Sequence, residues 1–152
     1  MLSIKDKELN LLKTILWAVN NLDSIFAEKL ISALVKKNNI SYIMHEEIYK
    51  YNIDKKIQLI CKIDEERRNE FKNTKAYKDL KFLIKCRNKI AHSNIFQIKN
   101  NKLTVVNRGK KIPLDLEKLN RILDFESKSL VNIIDEITLI FLEETIDKNN
   151  LI

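Results

Sequence analysis

Apolar residues recur at helical spacing through most of this chain, and the places where that period lapses mark its elements. The series Leu9, Leu12, Leu16, Val19, Phe26, Leu30 and Leu34 has helical spacing. Asn20-Asn21 followed by Asp23-Ser24 offers an internal N-cap, so this stretch is either two helices or one long one. Lys36 to Asn39 reads as a loop. A second helix is predicted from about His45 to Arg68, with Ile53, Ile57, Ile60 and Cys61 on its buried side. Asp64 to Glu70 carries so much charge that it reads as a solvated helix end or connector. A third helix is predicted from about Thr74 to Ala91.

After His92 the pattern changes period. Ile95-Phe96-Gln97-Ile98 and Leu103-Thr104-Val105-Val106 are β-prone runs around Lys99-Asn100-Asn101-Lys102. Asparagine tolerates left-handed backbone, so the spacing predicts a hairpin there. Asn107-Arg108-Gly109-Lys110 predicts a second turn. Pro113 precedes Asp115, the expected N-cap of a last helix reaching about Glu144. Leu116, Leu119, Leu123, Leu130, Ile133, Ile134, Ile137 and Ile140 supply its buried side. No repeat, linker or low-complexity tract interrupts the chain. The expected fold class is therefore all-α: one helical domain over residues 1–152, a bundle with a small β-hairpin inserted before its last helix.

Composition sharpens this picture. Hydrophobic residues make up 45% of the 152 and charged residues 32%, the balance of a globular chain with one core. Gly109 and Pro113 are the only residues of their types, which leaves little room for a turn-rich β fold. Cys61 and Cys86 form no disulfide framework, so a cytoplasmic, reducing setting is expected. No apolar run approaches the roughly 20 residues that span a bilayer, and no signal-peptide pattern opens the chain, so no membrane partner is expected.

The net charge of +7 is unevenly spread. Residues 1–76 carry a net +3 and residues 115–152 a net −5, while residues 77–114 hold ten basic and one acidic side chain. That concentration is the footprint of a polyanion partner, most simply RNA, or else an ordinary lysine-rich surface. Lys81, Lys85, Lys89, Arg108, Lys110 and Lys111 are the candidate phosphate-binding residues within it.

Chemistry-bearing groupings are few. His45 and His92 are far apart, and no Cys/His/carboxylate cluster has ligand spacing, so no metal or cofactor is expected. One glycine cannot build a phosphate-cradling loop. The carboxylates Glu46-Glu47, Asp64-Glu65-Glu66 and Glu143-Glu144 read as solvated charge. Cys86, beside Arg87, is either an activated thiol or a packing residue. The informative run is Arg87-Asn88-Lys89-Ile90-Ala91-His92. Leu80, Leu83, Ile84 and Ala91 share one helical stripe with Arg87 in its middle, and a desolvated guanidinium needs a partner or a ligand. Asn88 and His92, four residues apart, share the flank of that stripe. A histidine can take the 2′-OH proton of RNA or protonate its 5′-oxygen leaving group, and an arginine can offset charge building on the phosphate. The same residues have a plain structural reading, because cations near a helix C-terminus stabilise it through the macrodipole.

This run resembles the signature of the HEPN superfamily (higher eukaryotes and prokaryotes nucleotide-binding domain). That signature is an Arg, a polar residue after it, and a His four to six positions beyond, at the C-terminal end of a core helix in a small helical bundle. The resemblance implies a metal-independent endoribonuclease in which two domains pair as a homodimer and pool their motifs in one cleft. It implies that Arg87 contacts the scissile phosphate, His92 transfers protons and Asn88 orients the site. It also implies a setting in toxin–antitoxin or antiviral defence, with an antitoxin or defence-system partner protein. Members controlled by a nucleotidyltransferase antitoxin often carry Tyr two residues after the His; this chain has Asn94. Two other readings stand beside the nuclease: a non-catalytic helical module that binds RNA, nucleotide or protein, and a subunit of a larger assembly docked through its acidic last helix.

Overall fold

A computed structural model of the chain describes residues 4–38, 42–93 and 95–150, with side chains over 6–34, 46–93 and 95–142. Its helices are α1 (Ile4–Asn38), α2 (Tyr42–Lys50), α3 (Ile53–Glu65), α4 (Lys75–Ala91), α5 (Leu116–Leu123) and α6 (Ser129–Asn150). Three strands, β1 (Ile95–Lys99), β2 (Lys102–Asn107) and β3 (Lys110–Leu114), form an antiparallel sheet in the order β1-β2-β3 between α4 and α5. The described residues divide into two compact units. One holds the residues up to Val19 with Lys78–Leu130, the other Asn20–Tyr77 with the segment from Val131 onward.

The first unit contains the sheet. Two consecutive left-handed residues close each of its turns: Asn100 and Asn101 (φ 53° and 58°) between β1 and β2, Arg108 and Gly109 (φ 50° and 76°) between β2 and β3. Such two-residue turns match the twist of the strands they join. Register places Phe96, Val105 and Ile112 on one cross-strand row and Ile98, Leu103 and Leu114 on the next. Leu103 and Val105 are fully buried, so this face meets the unit's core, with Leu11, Ile15, Leu80, Leu83, Ile90, Leu119 and Ile122. The Ile98 N–H donates to the Glu8 carboxylate of α1 at 2.9 Å, which ties down the outer edge of β1. Trp17 and Phe125, both exposed, meet edge to face with centroids 5.8 Å apart.

The second unit is built around Phe26, Leu30, Ile57, Ile60, Phe71, Ile133, Ile137 and Ile140, all buried. Lys56 is buried as well; its ammonium donates to the Asp23 carboxylate at 2.6 Å. Asp64 is the unit's polar anchor. Its carboxylate accepts from the backbone N–H groups of Glu70 (3.0 Å) and Phe71 (2.8 Å) and from the Arg68 guanidinium (3.2 Å). Arg68 also lies 3.6 Å from Glu136 of α6, and Arg67 donates to the carbonyl of Ile140 at 2.7 Å.

Several expectations are corrected. Of the two readings open for the apolar series from Leu9 to Leu34 the single long helix is the one formed, but it is 35 residues long and runs through Lys36 and Lys37 to Asn38, where the sequence predicts a loop; Asn39 lies outside the described residues. The helix expected over 45–68 is two, because Asn52 accepts from the Lys55 N–H at 2.8 Å and starts a new helix. The hairpin is a three-stranded sheet, since Lys110–Leu114 returns as β3. The last helix is also two: Asp124 accepts from the Glu126 N–H, and Lys128 turns left-handed at φ 58°. Asp64 is not solvated charge but a buried acceptor. Glu46 and Glu47 are exposed, whereas the side chains of Glu143 and Glu144 lie outside the described residues.

Candidate functional site

Helix α4 positions the site. Thr74 starts it by accepting from the Tyr77 N–H at 3.1 Å. Its end is closed by the His92 N–H on the Asn88 carbonyl (3.0 Å) and by the Ser93 hydroxyl on the Ile90 carbonyl (2.7 Å). The buried side runs Leu80, Leu83, Ile84, Cys86 and Ile90. In the last turn it follows Cys86 and Ile90, so Ala91 is exposed and Arg87 half-buried. The stripe expected through Arg87 to Ala91 thus surfaces at the helix end instead of staying buried.

The opposite side of α4 is basic. Lys78, Lys81 and Lys85 are exposed and Lys89 half-exposed, and on an ideal helix they fall on the same side as Asn88 and His92. The single acid of the 77–114 segment, Asp79, is turned inward, buried and 3.4 Å from Arg121. No carboxylate therefore interrupts this face within α4.

Against the end of that face stands the β2–β3 turn. Asn88, Lys89 and His92 of α4 and Asn107 and Arg108 of the turn line an open depression of about 590 Å³. Each of these lining residues carries a polar or charged group, two of them cations and none an acid. Arg87 is not part of it. Five residues along a helix turn the side chains of Arg87 and His92 roughly 140° apart. Arg87 instead donates to the Asn88 carboxamide oxygen at 2.9 Å, so Asn88 joins the arginine to the depression.

Of the candidate phosphate-binding residues, the structure brings Lys89 and Arg108 together in the depression. Lys81 and Lys85 lie farther back along α4. Lys110 pairs in register with Asn107, but Lys111 pairs with Val106 on the other face of the sheet. The only mark of Asn107 in the sequence is its place directly before Arg108-Gly109 in the expected turn.

Cys86 is a packing residue. Burial pushes its thiol up to about 11, outweighing the positive charges of Lys85 and Lys118, so the nucleophilic thiolate is scarce near neutrality. No three His, Cys, Asp or Glu gather as a metal-ligand group among the described residues, and the side chain of His45 lies outside them. Asn94 lies outside them too. No helix among the described residues is long and apolar enough to cross a membrane. No protein-family model, curated protein or solved structure matches the chain.

Proposed function

We propose that this protein is a metal-independent endoribonuclease of the HEPN type that acts as a homodimer. The observation that carries the proposal is the depression at the end of α4, where His92 and Asn88 share a polar, acid-free lining with Lys89 and Arg108. A site of that composition attracts a phosphodiester and holds an imidazole beside it.

In the proposed reaction the His92 imidazole takes the proton of a ribose 2′-OH. The 2′-oxygen attacks the adjacent phosphorus, and the P–O5′ bond breaks as a second imidazole protonates the departing 5′-oxygen. Arg87 offsets the charge that builds on the non-bridging oxygens. Because Arg87 and His92 of one chain point in different directions, both reach one phosphate most simply when a second copy completes the cleft. The two-fold pairing implied by the resemblance supplies that copy.

Purified protein should cut single-stranded RNA in EDTA and leave a 2′,3′-cyclic phosphate, and a 2′-deoxyribose at the scissile position should block it. Products without the cyclic phosphate, or cutting of the deoxy-substituted strand, would overturn the mechanism. Binding without cleavage is the second reading. The position of Arg87 outside the lining favours it, and RNA binding at full affinity with no cutting would select it.

A further inference from the structure

The β2–β3 turn departs from what its geometry prefers. Turns with two consecutive left-handed residues favour Asn or Gly at both positions, and the β1–β2 turn of this sheet obeys with Asn100-Asn101. The β2–β3 turn places an arginine at φ 50°, a conformation that residues other than Gly, Asn and Asp adopt uncommonly. An unfavourable backbone position filled by a charged residue at the rim of a polar depression points to a use for that charge.

The surroundings of Arg108 say what the use is. Among the described residues the side chains of Lys89, His92, Asn107 and Arg108 make no hydrogen bond or ion pair with one another or with any neighbour. Asn107 and Lys89 are half-buried all the same. The C-terminal end of α4 repels anions through its dipole, so a phosphate held there needs nearby cations, and Lys89 and Arg108 are the two that line the depression. A carboxamide presents one donor face and one acceptor side by side, the pattern of a nucleobase edge.

We infer that Asn107 and Arg108 form a nucleotide subsite in this depression, beside the proposed cleavage site. Arg108 and Lys89 clamp a phosphate neighbouring the scissile one. The Asn107 carboxamide reads the edge of the attached base and sets which nucleotide is preferred there. This rests on the ribonuclease reading for its location but is tested by binding alone.

The test uses full-length protein and three six-nucleotide RNAs, oligo-A, oligo-C and oligo-U, with 2′-O-methyl groups so that none can be cut through a 2′-oxygen. Arg108→Asn restores a preferred turn residue, so its melting temperature should equal or exceed that of the wild type. It should nevertheless bind all three RNAs about tenfold more weakly, with a shallower salt dependence by roughly one counterion. Asn107→Ala should flatten the wild-type preference among the three. Wild-type affinity and salt dependence in Arg108→Asn, an unchanged base preference in Asn107→Ala, or no binding by the wild type would each overturn the subsite. Cutting of unmodified RNA is followed in parallel. Cutting with unaltered variant binding removes the subsite and keeps the nuclease, and altered binding without cutting does the reverse.

Discussion

Asp64 is buried and Asn107 half-buried, yet the carboxylate of the first is saturated with partners and the carboxamide of the second has none among the described residues. Asp64 closes the loop between α3 and α4 with two backbone N–H groups and the Arg68 guanidinium. A buried charge left short of such partners would cost several kcal/mol, so its neighbourhood is organised to satisfy it. The depression beside α4 is organised the other way. Its polar side chains stay short of full burial, apart from one bond between Arg87 and Asn88 they are uncommitted, and its cations lack a counter-charge. Polar groups spent on one another hold a fold together. Polar groups held open are available to a ligand.

Asp64→Ala should produce the largest effect. It removes the acceptor of the Glu70 and Phe71 N–H groups and one of the partners of Arg68, and should lower stability by about 3–5 kcal/mol, a fall in melting temperature of roughly 10 °C. RNA affinity measured well below that temperature should not change. A stable Asp64→Ala protein with weakened RNA binding would erase the contrast between the two regions.

The basic face of α4 comes next. RNA binding should weaken steeply with salt, and Lys81→Gln and Lys85→Gln should each reduce affinity several-fold and the salt slope by about 0.7. Titrations at several salt concentrations check this. Salt-insensitive binding would make the basic block an ordinary solvated surface.

The assembly prediction sharpens the comparison further. If two copies pool their motifs, sedimentation at micromolar concentration should show a dimer. A monomer across that range would remove the pooled site.

Cys86 carries the smallest effect. The folded chain holds the thiol proton up to about 11, whereas the unfolded chain releases it near 9. The folded state thus binds more protons between those values, and stability falls as pH rises through that window, by about 1 kcal/mol between pH 9 and 10. Melting curves at both pH values should show this loss in the wild type and not in Cys86→Ala.

Much of the helical layout was legible in the sequence, because periodic apolar positions such as Ile53, Ile57 and Ile60 report directly on burial. What the pattern hid were interruptions made by side-chain caps. Asn52 and Asp124 restart the chain without breaking the apolar period, so two pairs of helices read as two single ones. The burial of Asp64 was hidden for a different reason: a carboxylate in a charged run looks solvated until the N–H groups six and seven residues onward are seen to fold back on it. At the candidate site, the α4 residues could be read from helical spacing alone. Asn107 could not, since only the tertiary fold brings the β2–β3 turn against α4. Nor could spacing show that Arg87 turns away from the depression, because that depends on which side of the last helical turn is buried.

The most direct test of the claim that this open depression is catalytic compares wild type and His92→Ala under single-turnover conditions in EDTA, with binding of an uncleavable RNA and thermal unfolding measured on both proteins. His92 is exposed at the helix end, so its removal should leave melting temperature and affinity nearly unchanged. Cleavage should fall by two or more orders of magnitude, the scale expected for losing a proton-transfer group. Cleavage at the wild-type rate by folded His92→Ala protein would contradict the account.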